Sequence, residues 1–378
     1  MQKTLVAVAV AGALGVPTVA QAQNATVNIY GRFYMEYSKV FKGNQNAVNG
    51  QPTVDVDMVQ NPGSRIGFRG EEKLGGGMSA WFQCETSADF RGVNQEGWCA
   101  RNSALGLKGG FGNVFVGVWD TPFKRVIDQT GANDTGVFGA ANVLFGYSTT
   151  VNSGAASQGL FKRRQRNSVN YDTPTFAGFK VMGAFTTLNS QTNTVNSATG
   201  AKPRVYSIGT EYNNGPINVY AAYQKHKDVT GATGAGDDKG WVVGANYTFA
   251  KTLKVGGLYS QQKFQTSGTT EGKVNVWHLG IDWMFSGPHG VRAAYSTAGD
   301  IKGNSTAIGT LRPAAGGDTG VQLWQIRYVH KLSKRTELTA GYVKIKNERN
   351  ANYPIIGTGF NQRGNDPSAI AIGLDHRF

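Results

Sequence analysis

The chain has 378 residues, a formal net charge of +14 and 40% hydrophobic residues. No stretch supplies the roughly 18 consecutive apolar residues that a membrane-spanning helix needs, so the sequence excludes an α-helical membrane protein. The basic residues are scattered through the chain and form no basic, aromatic patch on a helix, which argues against a nucleic-acid partner.

Residues 1–22 have the features of a secretory signal peptide. Lys3 precedes an apolar run over residues 5–16, and a small-residue cleavage site follows at 20–22. A run of about a dozen apolar residues is too short to span a membrane but is typical of a signal peptide. The sequence therefore predicts cleavage after residue 22 and one domain at 23–378.

The rest of the chain contains about sixteen segments in which apolar residues alternate with polar or small ones. This period of two is that of a strand with one apolar and one polar face. An even count near sixteen predicts an all-β fold, a closed transmembrane antiparallel barrel wide enough to hold water. The predicted strands are 26–37, 64–74, 77–87, 99–108, 112–120, 163–173, 177–187, 203–213, 216–227, 239–249, 252–263, 273–285, 290–299, 320–332, 335–347 and 368–378.

The connections alternate between tight turns and long polar segments. Short turns on one rim and long loops on the other are typical of an outer-membrane barrel. The long segments are 38–63, 88–98, 121–162, 188–202, 228–238, 264–272, 300–319 and 348–367.

The last ten residues show the alternation most clearly. Ile370 and Leu374 share an apolar face with the terminal Phe378, whereas Asp375 and Arg377 share the other face. A sheet in a membrane leaves no edge unpaired, so the first strand is expected to pair with the last.

Several short motifs follow one another along the predicted strands: Ile29-Tyr30-Gly31-Arg32, Ser64-Arg65-Ile66-Gly67-Phe68-Arg69-Gly70-Glu71-Glu72, Ala80-Trp81-Phe82-Gln83, Arg101-Asn102-Ser103-Ala104-Leu105-Gly106-Leu107, Arg166-Asn167-Ser168-Val169-Asn170-Tyr171 and the terminal Phe378. In their order and spacing, the whole mature chain resembles the general diffusion porins of Gram-negative bacteria. The resemblance implies a homotrimer of sixteen-stranded barrels in outer-membrane lipid and lipopolysaccharide. It also implies passive diffusion of small hydrophilic solutes and ions, past a third loop, here 121–162, that folds into the lumen.

In that family a basic wall of strand arginines faces acidic residues of the third loop. The matching positions are Arg32, Arg65, Arg101 and Arg166. An arginine that faced lipid would cost about 2–4 kcal/mol at the bilayer midplane, so all four are expected to point into the lumen. Because rings of Arg and Lys favour anions, the sequence predicts a weakly anion-selective pore.

The candidate residues of the third loop carry both signs of charge. They are Asp120, Lys124, Arg125, Asp128 and Asp134. The resemblance assigns Asp128 and Asp134 to the constriction, whereas Lys124 and Arg125 could make this loop cationic as well.

The two cysteines, Cys84 and Cys99, would lie in an oxidising compartment. Cys84 has the outward parity of Phe82, whereas Cys99 has the inward parity of Arg101. A disulfide therefore requires Cys99 to leave the strand, and two separate thiols are the alternative.

The trimer has weak support from the residues themselves. In the predicted strand 99–108 the outward parity gives Asn102, Ala104 and Gly106. These are poor residues to face lipid but suitable ones for close contact between barrels.

Two other kinds of barrel protein are alternatives to a general pore. A substrate-specific channel for a small anionic or sugar solute would bind along lumen tracks, for which Tyr30, Tyr34 and Tyr220 are candidates. A surface adhesin or receptor would act through its outer loops, which contain mainly Gly, Asn, Gln and Ser. The five histidines are dispersed and no HExxH or GxSxG occurs, so the sequence predicts no catalytic residues, no metal and no cofactor.

Overall fold

The structure is a computed structural model that describes residues 26–44, 54–92, 97–132, 135–146, 160–186, 204–228, 237–308, 313–355 and 360–378. The predicted signal peptide lies outside these ranges, and so does Asp134. Among the described residues, no helix is both long and apolar enough to cross a membrane.

Antiparallel strands dominate the described ranges and pair into one sheet. The strands are β1 (Thr26–Phe41), β2 (Val56–Gln60), β3 (Arg65–Gly75), β4 (Met78–Ser87), β5 (Ser103–Gly109), β6 (Gly112–Asp120), β7 (Arg164–Asp172), β8 (Phe179–Thr186), β9 (Arg204–Asn214), β10 (Ile217–Lys227), β11 (Asp238–Phe249), β12 (Leu253–Gln265), β13 (Glu271–Ser286), β14 (His289–Ala298), β15 (Lys302–Gly303), β16 (Val321–Lys331), β17 (Thr336–Asn347) and β18 (Ser368–Arg377).

The described strands occupy sixteen positions in a closed wall. Both β2 and β3 pair with β1, at Glu36–Val40 and Thr26–Arg32 respectively, so they are two parts of one wall position. In the same way, β14 and β15 both pair with β13. The predicted all-β barrel is confirmed, although the predicted loop 38–63 contains the end of β1 and all of β2.

The first and last strands close the barrel. Their antiparallel pairing runs from Arg32 opposite Arg377 to Phe41 opposite Ser368. The amide of Gly31 donates to the carbonyl of Phe378 at 3.1 Å, and the amide of Phe378 donates back at 3.2 Å. A Cβ at position 31 would collide with the Phe378 ring, so glycine is what lets this ring lie flat on the seam.

The two faces of the wall differ as the period of two predicts. Ile370, Ile372 and Leu374 are exposed on the outer face of β18, whereas Asp375 is buried on the lumen side. The same division holds along β13, where Trp277, Leu279, Ile281, Trp283 and Phe285 are exposed. Apolar side chains outside and polar ones inside suit a barrel in lipid.

Strand β5 departs from the prediction in both its start and its parity. It begins at Ser103 rather than at residue 99, so Arg101 precedes the strand and does not set its parity. Leu105 and Leu107 are the outward residues, 63% and 43% exposed, and Gly106 faces the lumen beneath Trp81. The prediction that Asn102, Ala104 and Gly106 face outward was therefore wrong.

The segment after β6 packs inside the barrel. Helix α1 (Pro122–Ile127) begins at Thr121, whose Oγ1 accepts a hydrogen bond from the amide of Lys124, and it has proline in its first turn. A 3-10 helix follows at Gly136–Phe145. Helix α1 packs against β8 to β11, and the 3-10 helix packs against β13, β14, β16 and β17.

A hydrophobic core joins this inserted segment to the inner wall. Its members include Phe123, Val126, Ile127, Val137, Phe138, Leu144 and Phe145 from the loop, and Val242, Leu258, Val276, Leu323, Val343 and Ile345 from the strands. Burying these side chains contributes about 1.5–3 kcal/mol each, so the loop is held firmly against one side of the lumen.

Candidate pore constriction

Three of the four predicted arginines lie together on the lumen wall. Nε of Arg65 is 3.3 Å from one carboxylate oxygen of Glu85, and Nε of Arg101 is 2.8 Å from the other. Nε of Arg32 is 2.9 Å from Oδ1 of Asp375. The charges of Arg32 and Arg101 also act on Arg65. One group thus combines residues from the first, second and last wall positions.

Two further arginines extend this group. The guanidinium of Arg377 is 3.2 Å from Asp375, and that of Arg69 lies 4.9 Å from the centre of the Tyr30 ring. Tyr30 itself donates a hydrogen bond to Glu85 at 3.2 Å. We call the five arginines the arginine wall: Arg32, Arg65, Arg69, Arg101 and Arg377. In its described contacts, four of these guanidinium groups share the two carboxylates of Glu85 and Asp375, whereas the fifth, Arg69, contacts the Tyr30 ring.

Arg166 does not belong to this wall. It is an exposed residue of β7. Its neighbour Asn167 has a φ of 52° and lies where the register between β6 and β7 shifts. Arg164, two residues earlier, instead lies 3.2 Å from Asp120. A bulge is invisible to a strict count of alternate residues, so alternation alone does not say which arginine of this strand borders the lumen.

Lysines at the two ends of the inserted loop pair with Asp120 and Asp128. Nζ of Lys124 is 2.8 Å from Asp120 and 3.2 Å from Asp128, and Nζ of Lys162 is 2.6 Å from Asp128. Burial raises the pKa of Asp128, but the charges of Lys124 and Lys162 lower it more, so this pKa lies below its ordinary value. Asp128 is therefore ionised and paired within the loop.

Arg125, also predicted for this site, is directed toward the wall of the barrel. Its two terminal nitrogens each donate to Asp172 of β7 at 2.8 Å, and Lys180 contacts the same carboxylate at 3.2 Å. This bidentate pair fixes α1 on the inner wall.

The described part of the loop that contacts the end of β1 and the segment before β3 carries no acidic side chain. The amide of Val137 donates to Glu36 at 3.0 Å, and Oγ1 of Thr135 donates to the carbonyl of Pro62 at 2.8 Å. All ten residues of the following 3-10 helix are uncharged. In the loop as a whole, the basic residues Lys124, Arg125 and Lys162 outnumber Asp128 and Asp134. The described loop surface that contacts Glu36 and Pro62 is thus uncharged.

Cys84 and Cys99 form a disulfide on the outside of the barrel, with their Cα atoms 4.6 Å apart. Cys99 precedes β5 and has a φ of 54°, so it lies outside the strand as the pairing requires. The rings of Phe90 and Phe33 are 4.8 Å apart, so Phe90, which lies between the two cysteines in the sequence, packs on the outer surface.

The tyrosines proposed as a solute track are largely covered. Tyr34 and Tyr220 are fully buried, and their hydroxyls contact Glu36 and Thr130 respectively. The lumen aromatics that the sequence analysis missed are Trp81, Phe115 and Trp119, whose rings contact one another. These aromatic residues alternate in step with the lumen residues Gln83 and Asn113 along their strands, and this alternation was the sequence signal that could have identified them.

No group of three or more His, Cys, Asp or Glu side chains in the described ranges is arranged to hold a metal ion.

Comparison with known proteins agrees with this architecture. Residues 6–350 match the family described as Gram-negative porin. Outer membrane porin protein 32 of Delftia acidovorans is 28% identical over 391 residues, which cover 100% of both chains. The major outer membrane protein P.IB of Neisseria gonorrhoeae is 35% identical over 153 residues, or 40% of this chain and 38% of that one.

A solved structure shares the fold over nearly the whole chain. The anion-selective porin from Comamonas acidovorans superposes with a TM-score of 0.71 at 25% sequence identity, and the match covers 94% of this chain and 100% of that one. The sixteen-position barrel, its polar lumen and these matches have one explanation: the chain belongs to the Gram-negative porin family and is an outer-membrane channel protein.

Proposed function

We propose that this protein is a water-filled pore for passive diffusion of small hydrophilic solutes and ions, with a weak preference for anions. The observation that carries the preference is the arginine wall, where five guanidinium groups lie together and four of them share the two carboxylates Glu85 and Asp375 in the described contacts. Fixed positive charge raises the local concentration of anions and repels cations. The similarity to an anion-selective porin supports the same proposal.

Solutes would pass between the arginine wall and the inserted loop. The two helices of the loop pack mainly against β8 to β11, β13, β14, β16 and β17, whereas the arginines lie on or beside β1, β3 and β18 and would border the remaining space. Ions in such a wide pore stay hydrated, which keeps the selectivity modest and makes it decrease as salt screens the charges. Diffusion down a gradient needs no catalytic group, and we propose that the protein is not an enzyme.

The outer face of β5 supports a homotrimer. β5 has only seven residues, Ser103–Gly109, whereas a strand needs about 9–11 to cross a bilayer. Leu105 is 63% exposed in the single chain, and the disulfide-closed segment packs on the outer surface nearby. A neighbouring barrel at this face would cover the short strand, while lipid and lipopolysaccharide would surround the rest.

The diffusion pore is tested by reconstituting the purified protein in planar bilayers. We expect a conductance that rises in proportion to KCl concentration. A conductance that saturates at millimolar KCl, or a folded barrel that conducts no ions, would contradict the proposal.

A further inference from the structure

We propose that the lumen wall between the arginine wall and the short turns carries a binding subsite for small aromatic carboxylates. The proposal rests on the diffusion pore described above and names a class of solute that this pore would retain.

The site is an aromatic cluster on three adjacent strands. The ring centres of Trp81 and Phe115 are 5.4 Å apart, those of Trp81 and Trp119 are 5.8 Å apart, and those of Phe115 and Trp119 are 5.1 Å apart. Phe115 is 2% exposed and lies behind the two indoles, which are both half-buried. Two partly exposed indoles on a rigid wall form a surface against which a flat ring can stack.

The cluster faces water and not lipid. Trp81 shares the face of Glu85, which contacts the arginine wall, whereas its neighbour Phe82 is exposed on the outer side. Nε1 of Trp81 donates to Oδ1 of Asn113 at 2.7 Å, which fixes the indole. A Cβ at Gly106 would lie 2.6 Å from that Nε1, so glycine allows the indole to lie flat on the sheet.

Cationic side chains flank the aromatic surface. Arg69 is paired with Gln83, two residues along β4 from Trp81, and is exposed in the lumen. Diagonal neighbours in a sheet are about 7–8 Å apart, a distance that an arginine side chain spans easily. On the other side of Trp81, Lys108 is paired with Ser79, but its ammonium group contacts the carboxylate of Glu71, so Arg69 is the cation that the subsite would use. The guanidinium of Arg69 lies over the Tyr30 ring of β1, so a solute whose ring stacks on Trp81 can place a carboxylate on it once this side chain turns toward β4.

An open cavity adjoins the cluster on the side of the short turns. Its volume is about 460 Å³, and Asn113, Lys108 and Lys180 line it. Asn113 belongs to both features, because its side chain also holds Trp81. The cavity gives solutes room to approach the indoles from the periplasmic side, where short turns lie in outer-membrane barrels.

Aromatic carboxylates fit this combination better than simple anions or neutral sugars do. Chloride has no ring to stack, and a sugar gains nothing from the guanidinium charge. A benzoate-sized acid uses both the indole face and Arg69, so it should stay longer in the pore than an aliphatic acid of equal charge.

The test compares block of the KCl current by benzoate and by cyclohexanecarboxylate, which match in charge and closely in size. We expect benzoate to block at about a threefold to tenfold lower concentration, as stacking on tryptophan predicts. Trp81→Leu should remove this difference, and Trp119→Leu should reduce it. Trp324→Leu, on the outer face of β16, is the control and should keep it.

Each variant's block is expressed relative to its own KCl current. A channel that conducts KCl but responds equally to the two acids would overturn the subsite and leave the diffusion pore standing. The subsite would likewise be overturned if both Trp81→Leu and Trp119→Leu kept the full difference. Quenching of tryptophan fluorescence by benzoate in detergent, lost in Trp81→Leu, gives a reading that does not depend on conductance.

Discussion

Arg101 and Glu85 form an ion pair of 2.8 Å inside the lumen, although Arg101 belongs to no strand. The amide of Arg101 also donates to the carbonyl of Glu85 at 3.0 Å, so backbone and side chain bind the same residue. This double attachment places a loop arginine in a wall otherwise built from strands. It also makes Glu85, with Asp375, one of the two carboxylates that limit the positive charge of the wall.

Removing the charge of Glu85 should strengthen the preference for anions. A unit charge about 8 Å away in water is worth about 0.5 kcal/mol, or a factor of about two in local ion concentration. We therefore expect Glu85→Gln to raise the chloride-to-potassium permeability ratio by about twofold. Glu271→Gln removes a carboxylate paired with Lys263 at an exposed site and should leave the ratio unchanged. An unchanged ratio in Glu85→Gln would contradict the role of the wall.

The backbone amides of the inserted loop should exchange faster with solvent when Asp128 is protonated. Because the pKa of Asp128 is lower in the folded protein than its ordinary value, its ion pairs stabilise the loop at neutral pH. This stabilisation is lost as the pH falls through that lowered pKa. Amide exchange in α1, corrected for intrinsic rates, should be constant from pH 8 to pH 5 and faster near pH 3. Asp128→Asn should show faster exchange already at pH 7, and equal protection in the two proteins would refute the assignment.

The disulfide should stabilise the segment on the outer surface. Closing a loop with a sequence separation of 15 residues contributes about 3 kcal/mol in the chain-entropy account. We expect Cys84→Ser to make the chain between positions 84 and 99 sensitive to proteases while the barrel stays resistant. Wild-type protein treated with dithiothreitol is the matched control and should be cut at the same sites. Equal resistance of the oxidised and reduced forms would exclude a stabilising role.

The seam between the first and last strands should tolerate no side chain at position 31. A methyl group there would displace the ring of Phe378, whereas nothing lies within 4 Å of the corresponding position at Gly183 of β8. We expect Gly31→Ala to lower the temperature at which the folded band converts on an unheated gel, and Gly183→Ala to leave it nearly unchanged. Equal behaviour of the two variants would show that the ring has room to move.

The proposed trimer places Leu105 between barrels. A polar residue there should weaken association, because the fully buried core of an interface is depleted in polar groups. We expect Leu105→Asn to shift the oligomer band toward monomer, and Ile281→Asn, on the exposed outer face of β13, to retain the oligomer. Retention of the oligomer in Leu105→Asn would exclude this face as the interface.

Alternation of residue types was enough to predict the barrel, because a strand between lipid and water shows its two faces directly in the sequence. It also placed Arg32 and Arg65 in the lumen. It failed at Gly106, where the late start of β5 shifts the parity, and it does not resolve Arg166, which lies beside a bulge at Asn167. The partners Glu85 and Asp172 depend on strand register, which a single sequence does not specify.

The reversal potential under a KCl gradient, measured at low ionic strength for the wild-type protein and the Arg65→Gln/Arg101→Gln double variant, tests the central claim most directly. The arginine wall predicts a wild-type potential with the sign of anion preference, which shrinks as salt is raised and moves toward zero in the double variant. A wild-type potential with the sign of cation preference would contradict the account, and so would an anion preference that the double variant keeps in full.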